Sequence, residues 1–351
     1  MQMEDLQREE LLRIEHLSVT FTQYDGWFSR KILPVIRDLS LRVSRGEIVA
    51  VVGSSGSGKS LLAHAVMGVL PYNGSCGGDI YYKGKQLTTK RIKQLRGNKI
   101  VLVPQSVSYL DPLMKVGEQV AGGKDRISLE KSRKALTRYG LDKEVDNMYP
   151  FELSGGMARR VLIGTAVVEK PEMVIADEPT PGLHMEAAVR VLSHFREIAD
   201  EGAGVLLITH DLELALKTAD RIVVFYAGTA VEEAACVDFN QEAALRHPYT
   251  RALFRAMPEH GFAPEPGIQP YVRDLPEGCP YGPRCPKYRE ECSNDIPYVS
   301  YQGGLVRCIC PGDEKEILPG ILSESEVLKE KMTSEPSSGE CSVCGKEGAG
   351  L

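Results

Sequence analysis

The chain is predicted to adopt an α/β fold on a sheet of buried parallel strands, and three observations carry that expectation. Short runs of apolar, mostly β-branched residues recur at Val49–Val52, Ile100–Val103, Met173–Ala176 and Val205–Ile208. That is the pattern of strands covered on both faces. Each run passes directly into polar residues, as strands do where their carboxyl ends face a ligand crevice. The first run also leads through a glycine-rich turn, Gly53-Ser54-Ser55-Gly56-Ser57-Gly58-Lys59-Ser60, into a helix opening at Leu61-Leu62-Ala63.

The turn has a chemical reading. Gly53, Gly56 and Gly58 carry no Cβ, so backbone N–H groups can converge on a phosphate at the positive end of the helix. Lys59 brings a point charge to the β- and γ-phosphates, and the Ser60 hydroxyl is placed to ligate Mg²⁺. A G-x-x-x-x-G-K-S pattern between strand and helix marks a nucleoside triphosphate site lined by residues 53–60, Ser54, Ser55 and Ser57 among them.

Length and composition set the frame. At 351 residues, 42% apolar and 26% charged, the chain has room for one large α/β domain with an appendage. A formal net charge of −6 argues against nucleic-acid binding as its main task. No apolar run reaches the roughly 18 residues that span a bilayer. The start, Met1-Gln2-Met3-Glu4-Asp5, lacks the basic-then-apolar order of a signal peptide, so a cytosolic chain is expected. Nine cysteines, all but Cys76 beyond residue 235, point in that compartment to metal rather than disulfides.

Taken in order, residues 11–22 and 35–43 read as strands, with Tyr24-Asp25-Gly26-Trp27-Phe28 as a loop between them. Tyr24 is placed either to stack on an adenine ring or to pack locally. From Asp79 to Lys99 short β patterns carry many cations, expected on a solvated face. The strand Ile100–Val103 delivers Gln105 into a loop, within reach of Mg²⁺ or an attacking water. Residues 106–150 are polar and helix-prone, with turns at Gly122-Gly123 and Gly140. In Leu153-Ser154-Gly155-Gly156-Met157, Ser154 is suited to cap a helix whose first N–H groups Gly155 and Gly156 expose to an anion. Such a second phosphate-binding helix start suits a nucleotide held mainly by another subunit. Asp177 is suited to hold Mg²⁺ through water or Ser60, and Glu178 to polarise the attacking water. His210, after the next strand, is placed to contact a γ-phosphate.

With these motifs in this order, residues 11–235 resemble the nucleotide-binding subunit of an ATP-binding-cassette transporter. The match takes in the phosphate loop, a Gln loop at Gln105, a signature at Leu153–Met157, a Walker B strand at Met173–Glu178 and a switch histidine at His210. The resemblance implies a P-loop NTPase fold: a RecA-like core with an antiparallel β subdomain and a helical subdomain, here about 106–165. It also implies that two subunits sandwich ATP between the phosphate loop of one and the signature of the other. Glu178 would activate water, Lys59 and His210 would stabilise phosphoryl charge, and Gln105 would couple the site to a membrane subunit. There are two departures. Met157 stands where the family has Gln, and His184 where an Ala-Leu-Asp segment ends in Asp, which puts full symmetry of the two ATP sites in question.

The segment His247-Pro248-Tyr249-Thr250-Arg251-Ala252-Leu253 resembles the peptide and nickel importer cassettes. In that subfamily Cys279, Cys285, Cys292 and Cys308 would hold a [4Fe–4S] cluster. The bare spacing, C-x5-C-x6-C-x15-C, suits zinc equally, and Cys310 is an alternative to Cys308. The expected organisation is a nucleotide-binding domain over 1–240, a small Cys-rich C-terminal extension over 241–312 and a flexible tail over 313–351. Cys341 and Cys344 in the tail form half a zinc knuckle. The function implied is ATP hydrolysis powering uptake of di- or oligopeptides or nickel complexes. The implied partners are two permeases, an extracytoplasmic binding protein and a second, non-identical ATPase subunit at the cytoplasmic face of the membrane. The alternatives are a soluble cassette ATPase outside transport, and a degenerate cassette that binds ATP with little turnover.

Overall fold

The computed structural model describes residues 8–25, 29–54, 56–122 and 126–312. Ser55, Gly26–Phe28, Cys341 and Cys344 lie outside them. Strand β1 (Glu10–Asp25) and strand β2 (Ser29–Ser44) form a long antiparallel hairpin. Tyr24 is therefore a strand residue facing Arg30 in the ladder, not a loop residue. The backbone ladder continues to the turn whatever side chains it carries, because each added pair satisfies further N–H and C=O groups. Strand β3 (Ile48–Val52) is buried throughout and leads to helix α1 (Lys59–Met67). Strands β4 (Gly74–Tyr82) and β5 (Lys85–Gln86) extend the hairpin into an antiparallel wing.

Helix α2 (Thr89–Leu95) occupies a segment expected to be β. Thr88 starts it by accepting a hydrogen bond from the Arg91 amide at 3.2 Å, and Ile92 is its buried anchor. An N-cap hydroxyl ahead of good helix formers outweighs a loose alternation. Nor are all the cations of this stretch simply solvated. Lys83 and Lys99 converge on Glu172, Lys99 Nζ at 2.8 Å.

Strand β6 (Ile100–Val103) is followed by helices α3 (Val116–Ala121), α4 (Arg126–Arg138) and α5 (Gly155–Val167). These helices close over a small core of their own that includes Leu110, Val116, Leu136, Val145 and Val161. The chain then alternates: strand β7 (Met173–Asp177), helix α6 (Met185–Asp200), strand β8 (Gly204–Thr209), helix α7 (Leu212–Leu216) and strand β9 (Arg221–Tyr226). Strand β10 (Thr229–Ala235), helix α8 (Pro248–Ala256) and strands β11 (Val299–Tyr301) and β12 (Gly304–Val306) complete the described chain.

The sheet runs β5-β4-β1-β2-β10-β9-β3-β8-β7-β6. One half of it, β9-β3-β8-β7-β6, is parallel. Period-two alternation divides β3 between two cores. Ile48, Ala50 and Val52 pack with Phe195 of α6 on one face, Val49 and Val51 with Leu62 of α1 on the other. Burial on both faces is what the unbroken apolar runs required.

The C-terminal segment is built onto this sheet. Strand β12 pairs with β10 antiparallel, and β11 with β12. His247 caps α8, its Nδ1 accepting from the Tyr249 amide at 3.0 Å, and Pro248 occupies the first turn, where a missing N–H costs nothing. Burial pushes the His247 imidazole down to about 3, so it stays neutral and able to accept.

Candidate nucleotide site

The phosphate loop emerges between β3 and α1 under tight steric control. A Cβ on Gly53 would lie 2.1 Å from the Phe225 carbonyl oxygen, so only glycine fits there. Gly58 has φ +98, and a Cβ there would meet the Val35 side chain at 2.9 Å. Strands β9 and β2 therefore brace the loop from both sides. Lys59 Nζ donates to the Gly53 and Ser54 carbonyls at 2.7 and 2.8 Å, folded back along the loop. Burial pushes the Lys59 amine down, and the Glu178 and Asp177 carboxylates draw it partly back up.

The carboxylates sit where β7 ends. Ser60 Oγ donates to Asp177 Oδ1 at 3.0 Å, which joins the two residues predicted to share Mg²⁺. Burial raises the Asp177 carboxyl above its ordinary range, opposed by the Ser60 hydrogen bond. Glu178 takes a positive φ of 47, and its amide donates to the Ile208 carbonyl at 2.8 Å. His210 Nδ1 lies 2.9 and 3.0 Å from the two Glu178 oxygens. His210 thus meets the carboxylate expected to polarise the attacking water.

These residues fit a nucleotide and its Mg²⁺. Ser57 Oγ is buried with no hydrogen-bond partner among the described residues, an orphan that a phosphate oxygen would satisfy. Ser60→Ala is expected to weaken Mg²⁺-dependent ATP binding about tenfold or more. Titration of a fluorescent ATP analogue checks this, and the difference should vanish in EDTA.

The remaining predicted residues are placed less centrally. Ser154 caps α5 as expected, accepting from the Met157 amide at 3.3 Å, and Ser154 and Gly155 are exposed. A Cβ on Gly156 would touch Leu183 at 3.5 Å, so the signature turn lies against the loop that precedes His184. His184 occupies the N-cap of α6 without a capping bond from its side chain. Gln105 is exposed at the end of β6. Tyr24 is 66% exposed, with the Arg30 guanidinium 5.4 Å over its ring.

Two connections were not anticipated. Ser54 Oγ donates to Gln269 Oε1. The C-terminal segment therefore touches the phosphate loop. Tyr249 packs against Tyr226 and Tyr281, with ring centroids 4.3 and 5.3 Å away. Arg159, on α5, is 6% exposed and donates through Nη1 to the Pro104 carbonyl at 3.2 Å. The available signal was an arginine three and four residues before the buried Leu162 and Ile163, on the apolar face of its helix.

The cysteines form a looser group. The Cys279 amide donates to the Cys292 carbonyl at 2.9 Å. Burial pushes the Cys279 thiol up to about 12 and Cys285 to about 11, and raises Cys292 and Cys308 as well. Cys308 is raised further by Cys279, Cys285 and Cys292, whereas Cys310 acts on Cys292. Among the described residues no group of three or more His, Cys, Asp or Glu is disposed to hold a metal ion. None of the seven described cysteines is in a disulfide.

A phosphate loop, a Ser60–Asp177 pair, a Glu178–His210 pair and a capped glycine turn on this sheet define an ATP-binding-cassette ATPase. The "ABC transporter" family model matches residues 36–181, and that of the "Oligopeptide/dipeptide transporter, C-terminal region" matches residues 231–292. The chain is 33% identical over 324 residues to the oligopeptide transport ATP-binding protein OppD of Salmonella typhimurium, covering 87% of this chain and 95% of the relative. It is also 33% identical over 327 residues to the dipeptide transport ATP-binding protein DppD of Escherichia coli, covering 87% and 98%. The solved ATP-binding cassette MJ0796 shares the fold at a TM-score of 0.57 and 24% identity, over 64% of this chain and 99% of that one. A solved ATP-binding subunit of an ABC transporter aligns at a TM-score of 0.53 and 26% identity, over 66% and 92%. The chain belongs to the oligopeptide/dipeptide transport ATP-binding family of ABC ATPases.

Proposed function

We propose that this chain hydrolyses ATP to drive uptake of di- or oligopeptides. One observation carries the reading: a complete set of phosphate, Mg²⁺ and water-activating residues in a chain that also matches the peptide-transporter C-terminal region. Lys59 leaves the Gly53 and Ser54 carbonyls for the β- and γ-phosphates. Ser60 and Asp177 hold Mg²⁺, which when bound offsets charge between those phosphates. Glu178 takes the proton of the attacking water, and His210 orients Glu178 through the bond at Nδ1.

The exposed Ser154-Gly155 start of α5 supports a working dimer in which a second, non-identical cassette supplies the facing half of each site. Partner permeases and an extracytoplasmic binding protein would convert closure and reopening into transport, with this chain at the cytoplasmic face of the membrane. No helix among the described residues is long and apolar enough to cross a membrane. For the C-terminal segment, we propose that Cys279, Cys285, Cys292 and Cys308 take up a [4Fe–4S] cluster. Cys279, Cys285 and Cys308 are each raised by other thiols of this set, which suits a cation that stabilises thiolate forms. Anaerobic protein should then contain about four irons per chain, absent from Cys285→Ser, whereas stoichiometric zinc would replace that assignment.

Cargo is tested by uptake of labelled peptides and of nickel in cells lacking this chain and complemented with wild type or Lys59→Ala. Wild type should restore peptide uptake and Lys59→Ala should not. Restored nickel uptake with peptide uptake unchanged would overturn the peptide assignment.

A further inference from the structure

Arg159 is a buried cation whose position links two parts of the site. It lies in the first turns of α5, directly after the signature, and belongs to the helical layer rather than to the sheet. Its Nη1 reaches out of that layer to the Pro104 carbonyl, the residue between β6 and Gln105. Strands β6 and β7 are parallel neighbours with Val103 opposite Ala176. Pro104 and the Asp177–Glu178 pair therefore leave the sheet side by side, at one edge. The carbonyl that anchors the guanidinium is therefore one strand away from the root of Glu178. Burial lowers the Arg159 guanidinium, and the Glu178 carboxylate opposes that shift. Of five N–H donors in a rigid fork, the Pro104 carbonyl engages one.

The groups facing Glu178 are thus Asp177 beside it, Lys59 from the phosphate loop, His210 from the end of β8 and Arg159 from α5. His210 approaches from the sheet side, and Arg159 alone of these comes from the helix that carries the signature. We propose that Arg159 is a positioning residue for Glu178, fixing the carboxylate relative to the signature helix so that displacement of α5 and orientation of the water-activating group are coupled. Arginine suits the task because its planar fork can grip a backbone carbonyl and a carboxylate together, without losing its charge.

The inference rests on Glu178 being the water-activating residue, so the experiment includes Glu178→Gln as a reference. ATP turnover and KM are measured on the full-length chain purified with its partner subunits, for wild type, Arg159→Gln, Arg159→Lys and Glu178→Gln. Thermal melting of each protein is recorded alongside. The expected result is a kcat for Arg159→Gln reduced about tenfold or more with KM for ATP within about twofold. Arg159→Lys should turn over faster than Arg159→Gln but more slowly than wild type, because it keeps the charge and loses the fork that holds two acceptors at once. A merely structural tie between α5 and Pro104 would lower the melting temperature and leave kcat in place. An Arg159→Gln enzyme that turns over like wild type overturns the proposal, as does a loss confined to KM. Should Arg159→Gln not fold, Arg159→Lys decides: a folded Lys variant as inactive as Glu178→Gln contradicts the charge-based role. Full activity in Glu178→Gln would instead remove the catalytic reading on which the inference stands.

Discussion

Glu178→Gln is expected to lower ATP turnover by about a hundredfold or more while ATP still binds within a few-fold of wild type. The amide has nearly the shape of the carboxylate and keeps an acceptor oxygen for His210, so the geometry of the pair at 2.9 Å survives. What disappears is the capacity to take a proton from water. The phosphate contacts belong to other residues, namely Lys59, Ser60 and the loop backbone, which is why binding and turnover should separate. Phosphate release under saturating ATP, set beside equilibrium binding of the same preparation, checks both halves. Hydrolysis at the wild-type rate would take Glu178 out of the mechanism.

Arg246→Met is expected to destabilise the fold by about 3–5 kcal/mol, read as a shift in the urea midpoint. Arg246 Nη1 lies 3.2 Å from Glu232 Oε1 and 3.0 Å from Asp238 Oδ2, and its Nε donates to the Tyr301 carbonyl at 2.8 Å. Glu232 is fully buried on β10, and burial raises its carboxyl, opposed by donors from the His247 and Arg246 amides. Removing the guanidinium leaves a carboxylate with no counter-charge in the interior and detaches the β11–β12 turn from the sheet. The double variant Glu232→Leu/Arg246→Met should recover a large part of the loss, since the cost lies in the orphaned charge more than in the missing pair. An Arg246→Met midpoint equal to wild type would mean that solvent reaches this pair.

The parallel core and the phosphate loop were legible because their signals are local. Buried strands need unbroken apolar runs, and a phosphate cradle needs glycines at fixed spacing before Lys59 and Ser60. The Ser60–Asp177 pair followed from the order of motifs. Helix α2 was misread because one cap at Thr88 decided it. The Tyr24 loop was misread because ladder pairing to Arg30 is not written in side-chain chemistry. His210 was anticipated at the site, whereas its bond to Glu178 was not. The contacts from Gln269 to Ser54 and from Arg159 to Pro104 join residues far apart in the chain, so no local pattern announced them. The cysteine spacing named the donors and left the metal open, because thiolates serve iron–sulfur and zinc sites alike.

The most direct test of peptide-coupled ATP hydrolysis is phosphate release from Mg²⁺-ATP by this chain assembled with its membrane partners, with and without a peptide-loaded binding protein. Release that depends on Lys59 and rises several-fold with the loaded binding protein is the predicted result. ATP bound at the loop with no release in either condition would contradict it.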